Sequence, residues 1–253
     1  MKVLFRLEAG FKVGLGHYIR CLAIAEILRN KHEATVILAT SDSSRSLFDK
    51  WRKLGNVVSI PANSDDDECL LAIVEEQRPD VIVIDRLVEY RESLIRELNS
   101  IVPVVMIHGI GDAVFKTSAV IYPNAHMSGN LLSDARWVTG ETRMFSGWDY
   151  VILNEIVIPH QNSAKPIHPP RRINLITGGS DPAGVLLKLM PILGEADLGI
   201  PVHGLIGSSY QDRMRLEDAI SSYSSELCLT NYNIDEVLYG DLTICTFGVT
   251  VYE

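Results

Sequence analysis

The sequence has few cysteines, no long apolar run and no excess of basic residues. Each of these features argues against one class of protein: disulfide-linked, membrane-spanning or nucleic-acid-binding. Its four cysteines, Cys21, Cys69, Cys228 and Cys245, are far apart and form no Cys-x-x-Cys pair. We therefore predict reduced structural thiols rather than a disulfide framework. No segment approaches the roughly 18 consecutive apolar residues of a membrane span, and the N-terminus has no signal-peptide pattern. We expect a cytoplasmic protein with no membrane span.

The charge balance argues against nucleic acid as a partner. Asp and Glu number 32 and Lys and Arg 23, which gives a formal net charge of −9 over 253 residues. An acidic chain of this kind does not attract phosphate backbones or anionic membranes. The seven histidines are scattered, without a His-x-x-x-His pair, so the sequence predicts no metal site. It indicates no cofactor either.

Short apolar strands alternate with longer helical patterns along nearly the whole chain. This order is typical of parallel sheets covered on both faces, so we predict an α/β fold with two doubly wound, Rossmann-like domains. We place one domain at 1–158, a proline-rich linker at 159–172 and a second, partial domain at 173–253. We expect that domain to continue past Glu253, because no helix follows its last strand. The predicted strands are 2–7, 34–39, 57–60, 81–84, 104–107, 119–121, 173–177, 202–206, 226–229 and 242–245, and the helices 17–29, 44–54, 68–77, 90–98, 185–193, 211–223 and 234–239.

The turn between the first strand and the first helix is the first candidate site. It reads Gly14-Leu15-Gly16-His17, and its glycines allow the backbone to approach a ligand. The first turn of the helix offers unpaired N–H groups and a partial positive charge to an anion. His17 would lie at the carboxyl edge of the sheet, where doubly wound folds bind ligands. We predict a general base at His17, with a simple helix cap as the alternative.

Two glycine-containing turns in the second domain are further candidates. In the segment 178–182, Ser180 and Asp181 suit a helix N-cap and Pro182 suits the first helical position, although an ordinary turn would use the same residues. In the segment 248–253, Thr250 and Glu253 offer a hydroxyl and a carboxylate to a ribose, or form a capping box.

Three polar residues follow buried strands of the first domain. Asp85 ends the strand 81–84, while His108 and Asp112 flank a glycine-rich turn after the strand 104–107. The end of a buried strand suits a catalytic or substrate-binding carboxylate. Each residue alone, however, is more often a loop residue held by hydrogen bonds than a functional one.

Taken together, these motifs resemble one family. The segment 14–25, GLGHYIRCLAIA, is similar to the Gly-x-Gly-His-x-x-Arg-Cys-Leu signature of the UDP-sugar hydrolases of pseudaminic acid synthesis and of the related spore-coat polysaccharide biosynthesis proteins. The segments 150–155, 178–182 and 248–253 resemble three further motifs of these proteins in the same order. The resemblance implies a glycosyltransferase-B fold, related to the transferase that adds N-acetylglucosamine to lipid-linked peptidoglycan precursors.

The resemblance also implies an activity and its residues. It implies an enzyme that hydrolyses a UDP-linked amino-deoxy sugar to UDP and free sugar in surface polysaccharide or nonulosonic acid biosynthesis. His17 would be the general base on the attacking water, and the second domain would hold UDP. The implied substrate-binding residues are Gly14, Gly16, Arg20, Asp85, Tyr150 and Asn154. The implied nucleotide-binding residues are Gly178, Gly179, Ser180, Gly248, Thr250 and Glu253.

The chain departs from the family pattern at substrate-side positions. Relatives usually carry Asp-His-Tyr where this chain has Asp85-Arg86-Leu87, and an Asp-Asp pair where it has the turn 108–112. The arginine of the pre-linker motif is replaced by Asn154. These changes keep two alternatives open: a glycosyltransferase that uses a UDP-sugar donor, and a non-catalytic nucleotide-sugar-binding relative.

Overall fold

The computed structural model describes residues 1–10, 13–41, 48–61, 64–123, 129–160, 169–223 and 226–246. The chain forms two compact units, the first from residues 1–8 and 17–152 and the second from residues 9–16 and 153–253. Each unit contains one parallel sheet. Within the described residues, no helix has the length and apolar character needed to cross a membrane.

The first unit contains a seven-stranded sheet. Its strands are β1 (Lys2–Leu7), β2 (Thr35–Thr40), β3 (Asn56–Ser59), β4 (Val81–Asp85), β5 (Val104–Ile107), β6 (Ala119–Tyr122) and β7 (Arg143–Ser146). They lie in the order β3-β2-β1-β4-β5-β6-β7, and every neighbouring pair is parallel. The order reverses between β1 and β4. This is the topological switch point, and the carboxyl ends of β1 and β4 flank the crevice where ligands of such folds bind.

The helices of the first unit are α1 (Gly16–His32), α2 (Asp49–Leu54), α3 (Asp66–Gln77), α4 (Glu92–Ile101), α5 (Gly129–Leu132) and α6 (Arg136–Thr139). Buried apolar residues of α3 and α4 share a core with Leu4 of β1 and Ile82 and Ile84 of β4. Phe5 points to the opposite face, where its ring meets Trp51 of α2 at 5.1 Å. Successive residues of a strand alternate between the two faces, and both faces of this sheet are therefore covered.

The second unit contains a four-stranded parallel sheet. Its strands are β8 (Ile173–Ile176), β9 (Val202–Ile206), β10 (Leu227–Asn231) and β11 (Leu242–Cys245), in the order β10-β9-β8-β11. Its helices are α7 (Val185–Glu195), α8 (Arg213–Ile220) and α9 (Ile234–Tyr239). Leu186 and Met190 of α7 and Leu216 of α8 pack with the buried strand residues. Here the order reverses between β8 and β11, so the carboxyl end of β8 lies at a second switch point.

The predicted α/β fold with two parallel sheets is confirmed, with differences in single elements. The sequence analysis missed β7, because Arg143–Ser146 is a short edge strand without a continuous apolar run. It also missed the four-residue helices α5 and α6. The helix predicted at 44–54 begins at Asp49 in the described residues, and residues 44–47 lie outside them. Most of the predicted linker 159–172 lies outside them as well, so the domain boundaries stay a prediction.

Candidate functional site

The carboxylate of Asp85 is the centre of a polar cluster at the switch point of the first sheet. Asp85 is the last residue of β4 and is fully buried. Its Oδ1 accepts hydrogen bonds from His17 Nδ1 at 2.8 Å and from Arg20 Nη2 at 2.7 Å, and its Oδ2 accepts one from Arg20 Nε at 2.8 Å. Cys21 Sγ donates to the same Oδ2 at 3.4 Å. The first helix therefore supplies four hydrogen bonds, from three residues, to one buried carboxylate.

The spacing on α1 explains why these donors converge. His17 and Arg20 are three residues apart and so lie on the same face of the helix, and Cys21 follows directly. Asp85 is paired with Leu7 in the sheet, on the face opposite to Leu4 and Ile84. The side chain of Asp85 is thus directed towards α1.

The hydrogen bonds of Asp85 determine both its own charge and the tautomer of His17. Burial alone would raise the pKa of Asp85, but the bonds from His17 and Arg20 outweigh it and hold this pKa below its usual value. An ionised carboxylate only accepts hydrogen bonds, so His17 Nδ1 carries the hydrogen. The ring nitrogen Nε2 is then the one with a free lone pair, and the imidazole is 12% exposed. This arrangement suits a general base.

His108 lies at the same sheet edge. It follows β5, which is the neighbour of β4. Burial, together with the positive charge of Arg20, lowers the pKa of His108 to about 4. The charges of Asp85 and His17 also act on this imidazole. His108 is therefore neutral near pH 7 and belongs to the surroundings of the His17–Asp85 pair. The sequence had marked His108 as a polar residue after a buried strand, but its grouping with His17 and Asp85 was not predicted.

A second polar cluster occupies the other face of the same edge. The Arg6 side chain is fully buried, with Nη2 bonded to Glu8 Oε1 at 2.6 Å and to Asp66. Arg86 binds the same Asp66, lies 3.4 Å from Glu8 and donates to the Tyr90 hydroxyl at 3.0 Å. Two cations and two anions thus connect β1 and β4 to the first turn of α3. The sequence analysis did not identify this network.

The turn after β8 carries the other predicted group of site residues. Gly178 has φ +82°, a left-handed conformation that favours glycine. The hydroxyls of Thr177 and Ser180 are buried, and neither has a hydrogen-bond partner among the described residues. Buried hydroxyls normally have one. Two unpaired hydroxyls beside a glycine turn at a switch point suit a bound anion.

The loop after β9 supports this turn and was missed from the sequence. Ser209 N donates to the Gly179 carbonyl at 3.0 Å. A Cβ atom on Gly207 would lie 2.4 Å from the same carbonyl oxygen, so glycine is required at 207 for this close approach. The pattern Gly207-Ser208-Ser209 follows a predicted strand, as the turn after β8 does. That was the available signal.

The helix predicted at 185–193 begins at its expected residue, and Pro182, which suits a first helical position, lies in the turn before it. The helix α7 begins at Val185, after Gly184 in a left-handed conformation with φ +61°. Asp181 nevertheless provides the cap, because its carboxylate accepts from Val185 N and Leu186 N, both at 2.9 Å. These amides are consequently occupied. An anion at this turn would use the hydroxyls and loop amides rather than the first turn of α7.

The remaining predicted site residues are not brought to the Asp85 cluster by any described contact. Gly14 has φ +78° and pairs with Gly10 through two backbone hydrogen bonds, and Gly16 is the first residue of α1. The Tyr150 ring packs on Phe145 at 5.5 Å. Asn154 Oδ1 accepts from Ile156 N at 3.1 Å, which closes a local turn.

Three predicted nucleotide-binding residues, Gly248, Thr250 and Glu253, lie outside the described residues. Among the residues that are described, no group of three His, Cys, Asp or Glu side chains is placed to hold a metal ion.

Comparison with known sequences gives one relative. No protein-family profile matches the chain. An uncharacterised protein of Methanocaldococcus jannaschii is 25% identical over 264 residues, in an alignment that covers 100% of this chain and 53% of the relative. The chain thus spans about half the length of this curated relative.

Comparison with solved structures shows the fold. MurG of Acinetobacter baumannii matches with a TM-score of 0.60 and 12% identity, over 99% of this chain and 74% of that one. A UGT transferase from Siraitia grosvenorii in complex with UDP matches with a TM-score of 0.58 and 11% identity, over 99% and 78%. UDP-GlcNAc 2-epimerase from Neisseria meningitidis, bound to UDP-GlcNAc, matches with a TM-score of 0.53 and 12% identity, over 92% and 73%. The two parallel sheets match glycosyltransferase-B folds.

Proposed function

We propose that this protein is an enzyme that uses a UDP-sugar, with His17 as the general base. One observation carries the proposal: the buried carboxylate of Asp85 holds His17 Nδ1 at 2.8 Å and leaves Nε2 free to take a proton. Arg20 keeps that carboxylate ionised through two further hydrogen bonds. A histidine oriented in this way is the usual partner of a hydroxyl or water nucleophile.

The proposed reaction is an inverting displacement at the anomeric carbon of the sugar. The nucleophile gives its proton to His17 Nε2 while its oxygen forms a bond to that carbon. The bond between the carbon and the UDP oxygen breaks, and UDP leaves with the electron pair. The positive charge that develops on His17 is stabilised by the adjacent Asp85 carboxylate.

The second unit would hold the nucleotide. The unpaired hydroxyls of Thr177 and Ser180 can donate to a diphosphate, together with backbone amides of the turn 178–180. This assignment agrees with the roles that the sequence resemblance implies for Gly178, Gly179 and Ser180. The roles of Gly248, Thr250 and Glu253 as nucleotide ligands stay a prediction on the same basis.

We propose an acceptor hydroxyl rather than water as the nucleophile. Two structures that share the fold are of transferase or epimerase proteins with UDP or UDP-GlcNAc bound, which supports UDP-sugar use and favours transfer over hydrolysis. Hydrolysis, which the sequence resemblance implies, would use the same base with water as the nucleophile. The two reactions therefore differ in whether UDP release depends on an acceptor.

The test is UDP release from UDP-N-acetylglucosamine and related UDP-sugars by the full-length protein. We expect His17→Gln to lower the rate on the order of 10²–10⁴-fold, the usual contribution of a positioned general base. The matched control is His32→Gln, because His32 is an exposed residue at the end of the same helix. The control should keep the wild-type rate.

The outcomes of this experiment distinguish transfer, hydrolysis and binding without turnover. UDP release that rises strongly with added oligosaccharide acceptors supports transfer, and release without any acceptor supports hydrolysis. Wild-type turnover in His17→Gln would remove the base from the mechanism. Tight UDP-sugar binding with no turnover in the wild type would instead support a binding protein and overturn the enzymatic proposal.

A further inference from the structure

His108 occupies a fixed position beside the His17–Asp85 pair. In the sheet, Ile84 of β4 is paired with Met106 of β5, so Asp85 and His108 lie one and two residues beyond this pair. The chains after the two strands stay side by side, because Glu89 and Ile110 form a parallel bridge. His108 therefore lies just beyond the end of β5, the strand next to that of Asp85, at the carboxyl edge.

The backbone of His108 is in a conformation that disfavours its own side chain. Its φ is +53°, in the left-handed region that residues with a Cβ atom rarely adopt. The conformation is held on both sides: His108 N donates to the Ile121 carbonyl at 3.0 Å, and the Gly109 carbonyl accepts from the Tyr122 hydroxyl at 2.9 Å. Glycine would fit this position without strain. Histidine is among the few non-glycine residues that are enriched in this region, and a residue held there by its surroundings is a candidate for a functional role.

Among the described residues, no hydrogen bond is made by the His108 imidazole, while the backbone of the same residue is bonded. The ring is partly buried, and the nearby charges are those of Arg20, Asp85 and His17. A neutral imidazole in such a place offers one donor and one acceptor. A sugar hydroxyl offers the same pair, whereas an anion would need a cation.

We propose that His108 is a substrate-contacting residue that hydrogen-bonds a hydroxyl group of the substrate held next to His17. The proposal rests on the proposed function, since it takes the His17 site to be the reacting site. The hydroxyl belongs either to the sugar of the UDP-sugar or to the acceptor. These two sources share one chemistry, and the experiment separates them.

The test uses two substitutions that fit the left-handed backbone. His108→Gly relieves the conformational strain and removes the imidazole, so the variant should unfold at the same temperature as the wild type or higher. We expect its kcat/KM to fall at least tenfold. His108→Asn also tolerates the left-handed region and keeps a donor and an acceptor, so it should retain more activity than the glycine variant. Added free imidazole should partly restore His108→Gly, which a purely structural role would not allow.

A binding measurement identifies the source of the hydroxyl without any turnover. In ¹⁵N-histidine-labelled protein, the His108 ring signal is assigned by its loss in His108→Asn and followed during titration. A shift with UDP-N-acetylglucosamine but not with UDP places the contact on the donor sugar. A shift that appears only with an oligosaccharide acceptor places it on the acceptor.

The failure of this proposal can be distinguished from the failure of the proposed function. Wild-type kcat/KM in His108→Gly, with His17→Gln inactive, would overturn the role of His108 and leave the proposed function intact. Unchanged turnover in His17→Gln would overturn the proposed function, and the titration would then decide on His108 by itself. A ring signal that moves with neither ligand overturns the proposed contact.

Discussion

Replacing Asp85 with asparagine tests the buried ion pair and hydrogen bonds of the site. The wild-type carboxylate is fully buried and accepts hydrogen bonds from His17 and Arg20 at 2.7–2.8 Å. Asparagine has nearly the same shape, but it carries no charge and presents an NH₂ group where one of the oxygens was. Arg20, whose side chain is only 9% exposed, would then be a cation without its partner.

The loss of stability can be estimated from this burial. Removing one partner of a buried ion pair costs about 3–5 kcal/mol, because the remaining charge is not hydrated. Exposed ion pairs are worth only about 0–1 kcal/mol, a value that does not apply at 9% exposure. We therefore expect Asp85→Asn to lower the free energy of unfolding by about 3–5 kcal/mol, a large part of the ~5–15 kcal/mol of an ordinary domain.

Asp85→Asn should also lower the activity, through the tautomer of His17. An asparagine NH₂ group facing His17 would favour the tautomer that carries its hydrogen on Nε2, and this nitrogen could no longer accept a proton. For a comparable histidine–carboxylate pair, the same substitution lowers kcat on the order of 10⁴-fold. We expect a loss of that order in the turnover of UDP-sugars.

Urea unfolding of the full-length protein, followed by circular dichroism, measures the change in the free energy of unfolding. Asp149→Asn is the matched control, because Asp149 is an exposed residue of the same unit and its change should stay within about 0.5 kcal/mol. The double variant Asp85→Leu/Arg20→Met should be more stable than Asp85→Asn, since an apolar pair can replace a buried ion pair at little cost. A loss below about 1 kcal/mol in Asp85→Asn, or no recovery in the double variant, would refute the reasoning.

Two further predictions concern the pH dependence of stability and the turn after β8. The free energy of unfolding should fall by up to roughly 3 kcal/mol from about pH 6.5 to pH 4. In this range the unfolded chain binds a proton at His108, whereas the folded chain keeps His108 neutral down to its pKa of about 4. Urea unfolding at each pH should show a smaller fall for His108→Asn, and an identical fall in both proteins would contradict the assignment. Ser180→Ala removes a buried hydroxyl without a partner, so thermal unfolding should show unchanged or higher stability, while calorimetry should show UDP binding weaker by about 3–10-fold, the value of one hydrogen bond. The control Ser208→Ala changes an exposed hydroxyl on the neighbouring loop, and equal UDP affinity in both variants would exclude Ser180 as a ligand.

The position of the His17–Asp85 pair could largely be predicted from the sequence. A histidine in the first turn of the first helix and an aspartate at the end of a buried strand both belong at the carboxyl edge of a parallel sheet. Arg20 lies three residues after His17, so its place on the same face of the helix could be predicted as well. What the sequence could not show is that β4 lies directly beside β1, which is what brings Asp85 to α1.

The elements that were missed depend on partners far apart in the chain. Arg6 lies within an apolar strand and is separated from Asp66 by 60 residues, so no local pattern connects them. The start of α7 at Val185 was predicted correctly, because it depends on a local pattern, and Asp181 is a capping residue type that does bind the first amides of the helix. The left-handed conformation of Gly184 just before the helix was not expected.

The two faces of the first sheet separate two kinds of chemistry at one edge. Arg86 follows Asp85 directly in the chain, yet strand alternation directs it to the α3 face. Its guanidinium is bonded there to Asp66 and to the Tyr90 hydroxyl. Arg86 therefore stabilises the attachment of α3, and its guanidinium is engaged on that face. The imidazole of His108, which follows the neighbouring strand β5, makes no such bond to any described residue and is therefore available to a substrate in the proposed site.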